Sequence, residues 1–332
     1  MRIIYYDTGT TNTRAYLIED DRLVDRVKKH VGARNTAINN SAKELKTAIH
    51  DLYNQLLESN NLTPADVDRI YMSGMASSPD GIHEIAHLEL PVTLDELQNA
   101  IEPYDDSNIL PQTIWMIPGV RTKLPHGVPA LPEEAVNLQM IRGEETEIAG
   151  LMRELNPTIP TLIVLPGSHT QIVLVERNRI VDFFSGITGE IRSALLEDSI
   201  LQSSMEKDGP DSLDIEYVRL GYQSLQESGL NHAFYGVRTL DMFATTTDRQ
   251  RQSYFQGVLT GGMIKGMLHR SRQRQWRPEK MVISGRLSEY ATYKALMAIE
   301  YPSMPVESYL CDAYPLSVKG CISLMKDAPI TI

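Results

Sequence analysis

At 332 residues, 42% apolar and 23% charged, the chain can bury a substantial core and is too ordinary in composition to be disordered or fibrous. Its 32 basic and 43 acidic residues give a formal charge of −11, which argues against broad binding to nucleic acid or to an anionic membrane surface. Two cysteines, Cys311 and Cys321, form no metal or disulfide framework. No apolar run reaches membrane-spanning length and the start lacks a leader pattern, so a cytoplasmic protein is expected, and with no second histidine at metal-ligand spacing from His169 no zinc site is expected.

In chain order, the first element is an apolar strand, a small polar knot and a second strand over residues 3–18. Gly9 permits a tight turn whose amides point inward, and the hydroxyls of Thr8, Thr10 and Thr11 add donors, as a phosphate cradle requires. Asp7, at the end of the first strand, is a hard oxygen ligand suited to Mg²⁺. Turn geometry alone would also select these residue types. A third strand is expected over 22–27. Ser41 and Glu44 have capping-box spacing ahead of Leu45, Ile49, Leu52 and Leu56, which predicts a helix with one apolar face.

A short helical turn at 63–66 leads into a strand over 70–78 that ends in small residues. Gly74 and Met75 there suit either a substrate loop or an ordinary strand-end turn. A second capping box, Thr93 with Glu96, starts a helix through 101, and a strand is expected over 114–119. Residues 120–132 are rich in Pro and Gly and read as a surface excursion. Arg142, Gly143, Glu144 and Glu145 then open a helix, where acidic residues also suit the helix dipole.

Around residue 165 the opening pattern recurs: an apolar strand, a turn containing Gly167, Ser168 and His169, a strand over 172–175 and another over 179–184. Similarity at this spacing predicts a duplicated α/β protein, with domains over 1–155 and 156–332 and a phosphate loop in each. The second half continues as a mainly helical stretch to about 270. Within it, Gly261 and Gly262 either admit a flat ligand or allow close helix packing. Ser284 and Gly285 end a strand before a helix over 287–299, a place for adenosine. A closing helix over 313–325 is expected to pack across both halves.

The blocks Asp7-Thr8-Gly9-Thr10-Thr11-Asn12-Thr13-Arg14, Ser73-Gly74-Met75, Ile117-Pro118-Gly119, Arg142-Gly143-Glu144-Glu145-Thr146, Pro166-Gly167-Ser168-His169 and Thr188-Gly189-Glu190 resemble the 2-dehydro-3-deoxygalactonokinase family. These are sugar-acid kinases of the actin, Hsp70 and hexokinase superfamily. The resemblance implies a duplicated ribonuclease-H-like fold with an interdomain ATP cleft. It also implies transfer of the ATP γ-phosphate to the 6-hydroxyl of 2-dehydro-3-deoxy-D-galactonate. Related sugar kinases have a Gly-Asp pair opening a helix before the second phosphate loop, and Gly143-Glu144 occupies that slot. Glu144 is therefore the expected base, with Glu145 as the alternative. Gly9, Thr10, Thr11, Gly167, Ser168 and His169 are expected on phosphate, Gly261, Gly262, Ser284 and Gly285 on adenosine, and Asp7 on Mg²⁺. Asn12, Arg14, Gly74, Met75, Arg142 and Glu145 are expected at the substrate, with Arg14 or Arg142 pairing its carboxylate.

The chain departs from the family at Thr8, where an aromatic residue is usual, and at Gln171, where a lysine is usual. A related sugar kinase or a non-catalytic ATP-binding regulator are the competing readings, and a homodimer is left open.

Overall fold

The computed structural model describes residues 1–124, 130–206, 212–310 and 314–325. Its contacts divide into two units: Met1–Asn156 with Asn178–Val181 and Asp312–Ile332, and Pro157–Arg177 with Asp182–Cys311.

The first unit contains β1 (Arg2–Thr8), β2 (Thr13–Glu19), β3 (Arg22–Lys29), α1 (Ala33–Asn39), α2 (Lys43–Ser59), β4 (Arg69–Gly74), β5 (Ile114–Met116) and α3 (Glu144–Leu155). The sheet runs β3-β2-β1-β4-β5, with a short edge strand at Glu102–Tyr104. β1 is antiparallel to β2 and parallel to β4. Ile3, Ile4, Tyr5 and Tyr6 are all buried, as a central strand covered on both faces requires, whereas β3 alternates exposed and half-buried residues as an edge strand does. The apolar stripe of α2, Leu45, Ile49, Leu52 and Leu56, packs into one core with Ile4, Tyr6, Ile70 and Met72.

The Thr93 box forms: its hydroxyl accepts from the Glu96 amide at 3.1 Å. The Ser41 box does not. Asn40 leaves α1 in a left-handed conformation, the Ser41 amide is committed to the Thr36 carbonyl, and the Glu44 carboxylate accepts from Asn39. The helix begins only at Lys43, with Ala42 as its N-cap. Part of the 120–132 excursion is a strand, Val120–Arg121, paired with Met140–Ile141. Residues 125–129 and Cys311 lie outside the described residues.

The second unit contains β6 (Thr161–Leu165), β7 (Thr170–Glu176), β8 (Arg179–Gly186), α4 (Thr188–Asp198), α5 (Ile215–Ser228), α6 (Leu230–Phe243), α7 (Asp248–Gln273), β9 (Lys280–Ser284), α8 (Leu287–Glu300) and β10 (Val306–Tyr309). Its strand order, β8-β7-β6-β9-β10, repeats that of the first unit, again with an antiparallel hairpin followed by parallel neighbours. The duplication expected from the two hairpins is thus a duplication of topology.

The closing helix α9 (Leu316–Met325) corrects the expected 156–332 domain, because it belongs to the first unit. It packs on α3 where two glycines remove side chains: a Cβ on Gly320 would lie 1.7 Å from the Thr146 carbonyl oxygen, and one on Gly150 would lie 2.7 Å from the Gly320 amide. Residues 178–181 also group with the first unit, where Arg179 and Ile180 pair with Thr93 and Val92. No helix among the described residues is long and apolar enough to cross a membrane.

Candidate active site

In the first unit the loop between β1 and β2 is closed by the Gly9 amide, which donates to the Asn12 carbonyl at 2.8 Å. Its outward carbonyls are held from behind: the amides of Ala33 and Arg34, at the start of α1, donate to Gly9 and Thr10. Gly32 makes that approach, since a Cβ there would lie 2.4 Å from the Gly9 carbonyl oxygen. The hydroxyls of Thr10 and Thr11 have no partner among the described residues and are available as donors. The Thr8 hydroxyl is not. It is buried and donates to the Ser73 carbonyl at 2.5 Å, tying the ends of β1 and β4 together, so it is a structural group and not a phosphate donor. Asn12 bonds His30 at 3.0 Å through its side chain.

The end of β4 touches this loop. Gly74 has φ of +80°, and a Cβ on it would lie 2.3 Å from the Thr8 carbonyl oxygen. Met75 follows in a 3₁₀ turn, Met75–Ser77. Gly143, with φ of +115°, approaches Gly74 in turn, at 3.3 Å from the position of its Cβ to the Gly74 Cα. A chain of backbone contacts through Thr8, Gly74 and Gly143 therefore carries the N-terminus of α3 to the phosphate-type loop. Only glycine permits both contacts.

α3 opens with Glu144, Glu145 and Glu147 in its first turn. Glu145 folds back over the helix end, accepting from the Gly143 amide at 2.6 Å and from the Thr146 hydroxyl at 3.1 Å, and is fully buried. Burial, with the charge of Glu144, pushes its carboxyl up to about 7. Buried and committed to the Gly143 amide and the Thr146 hydroxyl, it acts as a cap for α3, which argues against it both as a substrate ligand and as the alternative base. Glu144 is half-buried; its carboxylate accepts from the Arg142 amide at 3.3 Å.

Glu147 was not singled out by the sequence, although it lies one turn from Glu144 and so on the same helix face. Burial, reinforced by Asp7, Glu144 and Glu145 and opposed by Arg14, pushes its carboxyl up to about 8. Asp7 is likewise raised by burial, against which the Arg14 guanidinium acts. Arg14 stands opposite Asp7 in the β1–β2 register and donates to it at 3.1 Å.

Arg142 overturns its expected role. Its guanidinium donates to the Ser77 carbonyl at 2.5 Å, the Ser77 hydroxyl at 2.6 Å and the Ile85 carbonyl at 2.9 Å, and lies 3.1 Å from His87 Nδ1. Burial and the nearby Arg142 and Arg121 charges push the His87 imidazole down to about 4, so it is neutral and accepts this bond. The arginine staples the segment after β4 to the start of α3, leaving no fork for a substrate carboxylate. No spacing in the sequence reveals a partner set 55 to 65 residues away.

In the second unit the loop between β6 and β7 repeats the arrangement. The amides of Gly189 and Glu190, at the start of α4, donate to the Ser168 carbonyl, and a Cβ on Gly189 would lie 2.5 Å from the Gly167 carbonyl oxygen. Gly167 and Ser168 are exposed, and His169 Nε2 lies 3.0 Å from Glu190. Gln171, where the resemblance implies a lysine, is buried and accepts a hydrogen bond from the Ser185 hydroxyl. Gly285 at the end of β9 approaches this loop, 3.1 Å from its Cβ position to Pro166, and Ser284 is buried beside it.

The two helical glycines separate. A Cβ on Gly261 would lie 2.4 Å from the Tyr222 ring of α5, so helix packing covers that face and no flat ligand can lie there, whereas Gly262 is half-buried with nothing nearer than Leu230, at 3.9 Å.

A family model described as 2-keto-3-deoxy-galactonokinase matches residues 7–310. The chain belongs to this family. It is accordingly a carbohydrate kinase. A relative from Escherichia coli (strain K12) described as 2-dehydro-3-deoxygalactonokinase is 24% identical over 267 residues, 80% of each chain. A relative from Rhizobium meliloti (strain 1021) is 23% identical over 264 residues, 79% of each chain. A crystal structure of a candidate 2-dehydro-3-deoxygalactonokinase from Sinorhizobium meliloti aligns with a TM-score of 0.73 at 19% identity, covering 97% of this chain and 96% of the other. The duplicated α/β architecture described above is therefore the fold this chain shares with that structure.

Proposed function

We propose that the chain transfers the γ-phosphate of ATP to the 6-hydroxyl of 2-dehydro-3-deoxy-D-galactonate. Family membership supports the reaction class, and the named Escherichia coli relative supports the substrate. The observation that carries the mechanism is the position of Glu144, at the open end of α3 on a glycine contact with the β4 turn and the first loop. Glu144 takes the hydroxyl proton as the new O–P bond forms and the bond to the β-phosphate oxygen breaks, releasing ADP. Carboxylate bases of this kind contribute about 10²–10⁴-fold.

Phosphate binding is assigned to Gly9, Thr10 and Thr11 in the first unit and to Gly167, Ser168 and His169 in the second. Adenosine contact is assigned to Gly262, Ser284 and Gly285. Asn12, Gly74 and Met75 are assigned to the substrate side. The residues present suit Mg²⁺. Asp7, which accepts from Arg14 at 3.1 Å, offers one hard carboxylate oxygen and is the residue that would hold the ion, with water and phosphate oxygens as its other ligands. Bound there, Mg²⁺ would neutralise phosphate charge.

The test is product analysis after incubation with ATP, Mg²⁺ and the sugar acid. Phosphorus–carbon coupling at C6 in the NMR spectrum is the expected result. Phosphate on another oxygen, or ADP release without a phosphorylated sugar, overturns the reading.

A further inference from the structure

Beside Asp7 the first unit has a cavity of about 500 Å³, lined by Asp7, Arg14, Tyr16, Arg26, Lys28 and Glu147 among others. Strand register explains its chemistry. Arg14 pairs across to Asp7 on one side and to Lys28 on the other, while Tyr16 pairs with Arg26. These side chains therefore share one face of the sheet in two adjacent rows. The first row holds the carboxylate assigned to the metal. The second, two residues along the strands, holds Arg26 and the buried Tyr16. Two residues of β-strand span about 6.6 Å, the scale of a six-carbon chain.

The cations of this face are not equivalent. Arg14 is committed to Asp7. The side chains of Arg26 and Lys28 form no ion pair among the described residues, although both stand at the cavity. With Arg142 consumed by the backbone of 77–85, an acidic substrate has no other uncommitted cation lining this cavity.

We infer that the cavity between Arg26, Lys28 and Tyr16 is the subsite that receives the substrate carboxylate. Arg26 supplies the guanidinium fork, Lys28 the flanking charge and Tyr16 a hydroxyl donor. This assignment rests on the proposed sugar-acid kinase reading and deepens it: the enzyme measures the distance from a terminal carboxylate to the phosphorylated hydroxyl. Charges on an edge strand also deter edge-to-edge pairing. That role predicts aggregation of the variants, not a change in substrate affinity.

The experiment compares the wild-type chain with Arg26→Met, Lys28→Met and the conservative Arg26→Lys. It measures KM for 2-dehydro-3-deoxygalactonate and for ATP, and equilibrium binding of a panel of sugar acids and neutral sugars by calorimetry. Circular dichroism checks that each variant is folded. The expected result is a KM for the sugar acid raised at least tenfold by Arg26→Met, less by Lys28→Met, partly restored by Arg26→Lys, with KM for ATP within about twofold. Turnover of the sugar acid with an unmoved KM in folded Arg26→Met and Lys28→Met overturns the subsite and leaves the kinase reading intact. If the wild-type chain ignores this substrate but binds other sugar acids in an Arg26-dependent way, the subsite stands and the named substrate falls. Binding of neutral sugars alone overturns both.

Discussion

The two phosphate-type loops are built alike and serve different surroundings. In each, a glycine turn joins two antiparallel strands, a second glycine at the next helix start lets two amides reach loop carbonyls, two carbonyls in the first unit and one in the second, and a third glycine stands at the end of a parallel neighbouring strand: Gly9, Gly32 and Gly74 in the first unit, Gly167, Gly189 and Gly285 in the second. What differs is what each unit adds. The first brings carboxylates, with Glu144, Glu147 and Asp7 set near Arg14. The second brings a helical layer in which Gly257 and Gly261 of α7 pack against α5. Backbone geometry can thus be duplicated while the carboxylate cluster around Arg14 is built in one copy.

The acidic residues at the two helix starts break that comparison most sharply. Glu144→Gln is expected to lower kcat by about 10²–10⁴ while ATP still binds, as a lost general base does. Glu190→Gln, which removes a half-exposed partner of His169, is expected to change kcat/KM by no more than a few-fold, as exposed pairs contribute little. Equal losses at both positions would put the chemistry in both copies.

Gly74→Ala comes next. A left-handed φ and a Cβ 2.3 Å from a carbonyl oxygen are expected to cost at least about 2 kcal/mol, read by urea unfolding, together with loss of activity because the substitution moves Gly143 and Glu144.

The carboxylates of the first unit also set a pH dependence. Glu145 and Glu147 are raised in the folded state from an ordinary 4.5 to about 7 and about 8. The folded chain then holds protons that the unfolded chain has released, so their contribution to stability is fully present below about pH 4.5 and is lost as pH rises through 7 and 8. Glu147→Gln is expected to flatten the fall of Tm over that interval. An unchanged slope would remove Glu147 from the cluster.

The smallest effect is at Gly262. There a Cβ has room, so Gly262→Ala is expected to stabilise α7 by about 0.5–1 kcal/mol, the usual Gly-to-Ala gain in a helix, while raising KM for ATP if adenosine lies against that glycine. Stabilisation with unchanged KM for ATP would limit its role to packing.

The hairpins, their repetition and the helix opening at Gly143 were legible because strand alternation, turn glycines and acidic first turns are local patterns. The commitments of particular side chains were not. Ser41 and Glu44 have the same spacing as Thr93 and Glu96, yet the exit from α1 claims Ser41 first. Arg142 looks like a ligand for an acid until its donors are followed to Ser77 and Ile85. Thr8 looks like a phosphate donor until its hydroxyl is found on Ser73. In each case a contact distant in sequence decides between two chemically reasonable roles. Glu147 was within reach, since three residues from Glu144 on a helix is the same face.

The most direct test is ADP release by the wild-type chain with ATP, Mg²⁺ and 2-dehydro-3-deoxygalactonate, run beside the gluconate epimer. Turnover that depends on the galactonate derivative and favours it over the epimer is the expected result. ATP binding without turnover of either sugar acid would contradict the proposed reaction.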